Sequence, residues 1–215
     1  MSNQNDERSA SCTAPPGQAR WMQGYGVIGH TGPTIARVER LADDLVKCGV
    51  APSHSWVFET MAAADRIASA GMWVVAHMTY ARTVDRSGRD LRTEDFKSTP
   101  EGHTGGSLNM VPAYVGYLAA NVLTAKTRSW IMGQGHCVAA IEAVNALLGN
   151  LAPAQADRYG PTSEGLTRLA SDFYSYALGP DGRPAAPLGS HVNAFTAGGI
   201  AEGGYLGFAE IEYVH

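Results

Sequence analysis

Three histidines stand beside glycine or serine where the chain changes character. His103 lies in Gly102-His-Thr-Gly-Gly-Ser107, His136 in Gly133-Gln-Gly-His136, and His191 in Gly189-Ser-His191. Glycine lets a main chain come close to a ligand, and the N–H groups at a helix start attract anions such as phosphate. Imidazole gives and takes protons near neutral pH. Together these residue types suit a site that holds a phosphorylated ligand and moves protons among hydroxyl groups.

Simpler roles compete with this chemistry. A histidine beside glycine is more often a hydrogen-bonded structural residue than a catalytic one, and each glycine serves equally well as a helix stop. Neither Gly133-Gln-Gly-His136 nor the glycine-rich stretch Gly198 to Gly204 has the spacing of a dinucleotide fingerprint or of a P-loop with its lysine. The histidines lack the short spacing of zinc ligands and no paired cysteines accompany them, so no metal ligands are assigned. Cys137 adjoins His136, but neighbours on a helix face different ways, which argues against a Cys–His nucleophile.

These residues need elements to position them. Gly32-Pro33 followed by Ile35, Val38, Leu41, Leu45 and Val46 predicts an amphipathic helix with Gly49 as its stop. A second helix begins near Ser55 and carries Val57, Met61, Ala64, Ile67 and Ala68 on one face. The run Met72 to Tyr80 suits a buried helix or a strand equally. Asp85 to Glu101 is charged and reads as an exposed connection. Ser107 is the predicted N-cap of a helix over Leu108 to Leu123. Ser129 to Met132 signals a strand, and Gly133-Gln-Gly-His136 opens a helix that stops at Gly149. A further helix covers about Ser163 to Ala177, with loop to Gly189, then a glycine-rich turn from Gly198 and the start of a helix at the chain end. Strand, glycine turn and helix in succession predict an α/β fold, whose ligands gather where strands end and helices begin.

Bulk properties set the frame. The chain has 215 residues, 45% hydrophobic and 17% charged, enough apolar material for a core. A net charge of -4 gives no footing for nucleic acid. Cys12, Cys48 and Cys137 are few, odd in number and dispersed, which favours the cytoplasm over a disulfide scaffold. Met1 to Arg20 lacks the apolar segment of a signal peptide and reads as a flexible tail. The longest apolar stretch, Val111 to Leu123, contains Asn121 and falls short of the ~20 residues needed to span a bilayer, so no membrane association is expected.

The order of the three histidine motifs resembles the transketolase–phosphoketolase superfamily of thiamine-diphosphate enzymes. Gly102-His-Thr-Gly-Gly-Ser107 is similar to the transketolase segment G-H-x-G-G-S. Trp130-Ile-Met-Gly-Gln-Gly-His136 is similar to the phosphoketolase stretch I-M-G-P-G-H and to S-K-G-H of transketolases. Ser190-His191, then Thr196-Ala-Gly-Gly-Ile-Ala-Glu-Gly-Gly204 and Tyr205-Leu-Gly-Phe208, resemble the phosphoketolase run S-H…T-P-G-S-I-H-E-G-G and its E-L-G-Y. The resemblance covers Gly102 to His215.

The resemblance implies a thiamine-diphosphate-binding fold, a parallel sheet flanked by helices and incomplete at the C-terminus. Its parts would be a tail (1–20), a helical N-terminal region (21–101) and the first part of the diphosphate-binding domain (102–215). It implies catalytic roles for His103, His136 and His191, and cofactor contacts from His136, Gly198, Gly199 and Ile200. The cofactors would be thiamine diphosphate and Mg2+, and the substrate a sugar phosphate such as xylulose 5-phosphate, cleaved at a carbon–carbon bond. By analogy the full-length enzyme would be a homodimer. Ala201 stands where phosphoketolases place a histidine, which keeps a transketolase or a xylulose 5-phosphate 3-epimerase on the same scaffold open. The Gly-Asp-Gly…Asn metal motif of the family is missing from these 215 residues. The expectation is therefore a fragment that is inactive alone, with a non-catalytic remnant or split subunit as the alternative.

Overall fold

The computed structural model describes residues 16–132, 137–182, 185–188 and 196–198. Helix α1 (Pro16–Met22) starts inside the segment read as a tail, because Trp21 gives it an anchor: the indole is 1% exposed and packs on Phe58. Helix α2 (Gly32–Lys47) has Pro33 in its first turn, and Gly49 follows its end with φ +69°, as the sequence predicts. Helix α3 (His54–Tyr80) is capped by the Ser53 hydroxyl, which accepts from the Trp56 N–H at 3.2 Å.

The ambiguous run from Met72 to Tyr80 is helical and continues α3 to 27 residues. Buried Gly71, Val74, Val75 and Met78 recur at helical spacing and face α4 (Thr104–Thr124) and α5 (Ala139–Leu148). Gly71 marks the closest crossing: a β-carbon there would lie 3.0 Å from Val111 and 3.2 Å from Val144. This core joins residues on both sides of the 101/102 division, for Val74 and Met78 pack with Tyr114, Ile141 and Val144. A second, smaller core sets Trp21, Val38 and Ala42 against Val57, Phe58 and Ala62.

The charged connection from Asp85 to Glu101 is pinned down at Asp95, inside a short 3-10 turn (Thr93–Asp95). Arg89 donates to both its oxygens, at 2.6 and 2.8 Å, and the Arg92 N–H donates at 2.7 Å. Helix α4 is capped by His103, where the sequence pointed to Ser107; Ser107 is instead buried inside the helix. Strand β1 (Trp130–Met132) leads towards α5, which ends at Gly149 with φ +69°. After α6 (Pro153–Ala156), α7 (Ser163–Asp172) stops at Phe173, short of the predicted Ala177, since Phe173 is extended and Tyr174 and Tyr176 adopt left-handed φ of +57° and +52°. Strand β2 (Thr196–Gly198), absent from the sequence reading, pairs with β1 in parallel register: Trp130 with Thr196 and Met132 with Gly198. The expected parallel sheet thus amounts to two short strands among the described residues, which are otherwise mostly helical. None of the described helices is long and apolar enough to cross a membrane.

Candidate functional site

His103 sits at the start of α4, where that helix meets the last turn of α3 and the segment that begins at Cys137. The Gly106 N–H donates to its Nδ1 at 3.2 Å, closing the first turn of α4. An imidazole that accepts at Nδ1 carries its proton on Nε2, so the cap presents His103 as an Nε2–H donor. Gly102 makes the approach possible. Its φ of +130° suits glycine alone, and a β-carbon there would lie 2.8 Å from the Phe173 ring. The Thr104 hydroxyl donates to that of Thr79 at 2.9 Å, tying the start of α4 to the last turn of α3.

The segment that begins at Cys137 reaches His103 through Gly106. A β-carbon at Gly106 would stand 2.5 Å from His103 Nδ1 and 2.6 Å from Cys137 Sγ. The absence of a side chain therefore lets the α4 start lie directly against Cys137, the residue that follows His136. Cys137 is 2% exposed and burial pushes its thiol up, so it stays protonated and is no nucleophile. His136 itself lies outside the described residues, as do His191, Gly199 and Ile200.

The β1–β2 pair carries Gly198, another of the predicted site residues. Met132 and Gly198 are register partners at the same end of two parallel strands. From that end one strand leads into Gly133-Gln-Gly-His136 and the other into Gly199-Ile200. In parallel α/β sheets ligands collect outside this carboxyl edge. Of the predicted site residues, the described ones are His103, next to the neighbour of His136, and Gly198, paired with the strand that precedes it.

The residues present fit an anionic group. Thr104 and Gly105 contribute N–H groups without an intrahelical acceptor, whereas those of Gly106 and Ser107 are taken by the His103 ring and carbonyl. Gly105 has open space where a side chain would be. The Ser107 hydroxyl, buried at the same helix start, has no partner among the described residues. No group of three His, Cys, Asp or Glu side chains among them is placed to hold a metal ion.

One feature escaped the sequence. A cleft of about 380 Å³ opens in the described residues, lined by Arg82, Lys97, Glu101 and Tyr174 among others. Its residues come from the ends of α3 and α7 and from the loop before α4, separations that leave no local pattern to read.

The XFP N-terminal domain family matches residues 57–212, from the first turn of α3 to beyond β2. A probable phosphoketolase of Schizosaccharomyces pombe (strain 972 / ATCC 24843) is 32% identical over 156 residues, which are 70% of this chain and 17% of that protein. The chain therefore corresponds to less than a fifth of that relative's length. No solved structure matches.

Proposed function

Because the chain belongs to the XFP N-terminal domain family, we propose that it contributes the front part of a thiamine-diphosphate site in a phosphoketolase-like enzyme acting on a ketose phosphate, xylulose 5-phosphate. The observation that carries this reading is the contact made through Gly106. It sets the His103 cap against Cys137, the residue that follows the second histidine motif in sequence. The parallel register of Met132 with Gly198 supports it further, since the two strands precede Gly133-Gln-Gly-His136 and Gly199-Ile200 in sequence.

Thiamine diphosphate, when bound, supplies the carbon–carbon bond cleavage of the ketose. The chain's own residues hold and protonate. His103, with its proton on Nε2, donates to a substrate hydroxyl or carbonyl oxygen. The N–H groups of Thr104 and Gly105 face anionic oxygens at the α4 start. His136 and His191 hold hydroxyls and move protons on the ligand side, and Gly198, Gly199 and Ile200 offer main chain to the cofactor. Ala201 brings no imidazole to the step that makes acetyl phosphate, which is the ground for keeping a transketolase or 3-epimerase reaction as the second reading. Mg2+, which would offset the negative charge of the cofactor, would be held by residues other than these 215, since they contain no Gly-Asp-Gly…Asn sequence. The isolated chain is accordingly inactive, and activity requires the remaining domains, in a homodimer.

Two measurements test this. Calorimetric titration of the 215 residues with thiamine diphosphate and Mg2+ should show no tight binding; tight binding would contradict the divided site. Formation of acetyl phosphate from xylulose 5-phosphate and phosphate by the full-length enzyme separates phosphoketolase from transketolase and epimerase. His136→Ala should abolish that activity, and an unchanged rate would remove His136 from the site.

A further inference from the structure

We propose that the cleft between the ends of α3 and α7 and the loop before α4 is a binding site for a small phosphorylated polyol, with Arg82 holding the phosphoryl group, Glu101 accepting from ligand hydroxyls and the Tyr174 ring covering one face of the carbon chain. The cleft has a volume of about 380 Å³, room for a molecule of five or six carbons, and mixes two cations, a carboxylate, an aromatic ring and the hydroxyls of Ser98 and Thr99. That mixture is what a sugar phosphate presents in mirror image: one anionic end, several hydroxyls and an apolar face.

The two cations are differently committed. Lys97 Nζ donates to the Met78 carbonyl at 2.7 Å and lies 3.5 Å from that of Phe173, so it ties the C-terminal ends of α3 and α7 together. Burial pushes its ammonium down while the charge of Glu101 acts the other way. A dianion in the cleft would add a second opposite charge. Arg82 is exposed, and among the described residues its guanidinium donates to no side chain or carbonyl. It is the cation left for a ligand. The Glu101 carboxylate lies near enough to the Tyr176 phenol to push it up.

Backbone strain marks the same wall. Tyr174 holds φ +57° and Tyr176 φ +52°, conformations that favour glycine or asparagine, and they follow directly on the end of α7. Such positions persist where the surroundings fix them and concentrate at ligand clamps. Here they turn the Tyr174 ring edge-on to Phe173, with centroids 4.6 Å apart, at the cleft rim.

This site is distinct from the thiamine reading, because it needs neither cofactor nor a second domain. The test is calorimetric titration of the 215-residue chain, without thiamine diphosphate, using xylulose 5-phosphate, xylulose and inorganic phosphate as separate probes. Xylulose 5-phosphate should bind saturably, and each of the other two at least about tenfold more weakly, since each lacks one half of the recognised chemistry. Arg82→Gln, an exposed change that leaves the core intact, should weaken the sugar phosphate about tenfold. Tyr174→Asn keeps a residue that tolerates the left-handed backbone and should weaken it several-fold through loss of the ring. No saturable binding by the wild-type chain, or equal affinity in wild type and Arg82→Gln, would overturn the proposal. Inorganic phosphate binding as tightly as the sugar phosphate would overturn its polyol half. Failure of the full-length enzyme to make acetyl phosphate would leave the cleft standing.

Discussion

Replacing Gly106 by alanine probes the contact on which the candidate site is built. The added carbon would stand 2.5 Å from His103 Nδ1 and 2.6 Å from Cys137 Sγ, against the ~3.5–4.0 Å of ordinary contacts, so ring and sulfur must each give way by about 1 Å. Cys137 is enclosed in the core and the His103 ring is held by the very N–H that Gly106 donates, so neither yields freely. Overpacking of this kind costs about 1–3 kcal/mol, and loss of the cap adds about 1 kcal/mol. The gain of alanine over glycine in a helix, about 1 kcal/mol, offsets part of this. The net expectation is a loss of about 1–3 kcal/mol in urea denaturation followed by circular dichroism. Gly116→Ala provides the control, because Gly116 lies in the same helix with nothing near its missing side chain, and it should gain up to about 1 kcal/mol. Cys137→Ala in the Gly106→Ala background removes one of the two clashes and should recover part of the loss, a coupling that separate additive effects would not give. If Gly106→Ala were as stable as Gly116→Ala, the packing of His103 and Cys137 about Gly106 would be refuted, and with it the main support for a shared site.

Other substitutions test single features. His103→Asn keeps a residue suited to capping, so stability should hold, while activity of the full-length enzyme falls by about 10²–10⁴; His103→Ala should lose activity and about 1 kcal/mol together. Ala125 ends α4 in the left-handed conformation with φ 49°, so Ala125→Gly should raise stability by up to about 1 kcal/mol in the same assay. Asp172 accepts from Arg158 and from Tyr159, at 2.8 and 2.7 Å, and these partners hold its carboxyl below the usual range although burial alone would raise it. A depressed carboxylate contributes stability above its unfolded value of 3.8, and that contribution is lost as pH falls through the lower folded value. Asp172→Asn should therefore cost about 1–2 kcal/mol at pH 7, allowing for the half-exposed Arg158, and flatten the loss of stability below about pH 4 in an acid titration.

The parts of the fold legible in the sequence are those fixed by local patterns. The extent of α2, strand β1 and the stop of α5 follow from apolar spacing and from Gly49 and Gly149, whose left-handed φ a neighbourless glycine supplies. What stayed hidden was set by packing. Met72 to Tyr80 has no amphipathic polar face to identify it, and it is helical because α4 and α5 cover it on the side of Gly71 and Val75. The end of α7 moved because Tyr174 and Tyr176 take a backbone that their residue type resists. Ser107 carries the usual signature of a cap, yet it is drawn inward at 1% exposure and His103 does the capping. Of the site, the order of the histidine motifs was readable, but the contact with Cys137 was not, because it depends on a glycine whose importance lies in what it leaves empty.

The tetrapeptide Gly-His-Thr-Gly shows why spacing alone cannot assign a histidine. It occurs twice, at Gly29 to Gly32 and at Gly102 to Gly105, and precedes or opens a helix each time. In the first copy Thr31 occupies the cap position, and His30 turns away to pair with Asp65 at 2.8 Å and stack on Trp21 with centroids 4.2 Å apart. Its side chain is 8% exposed, so that imidazole serves to fasten the first helices to α3. In the second copy the histidine caps, remains exposed, and shares with Cys137 the space that Gly106 leaves empty. The difference arises from what surrounds each copy. Asp65 and Trp21 supply a buried partner and a stacking face to one, whereas Gly102 and Gly106 remove bulk around the other. An imidazole that caps a helix at the surface and one that is buried against a carboxylate and an indole have different work to do, and this physical distinction separates His103 from His30 where the four letters do not.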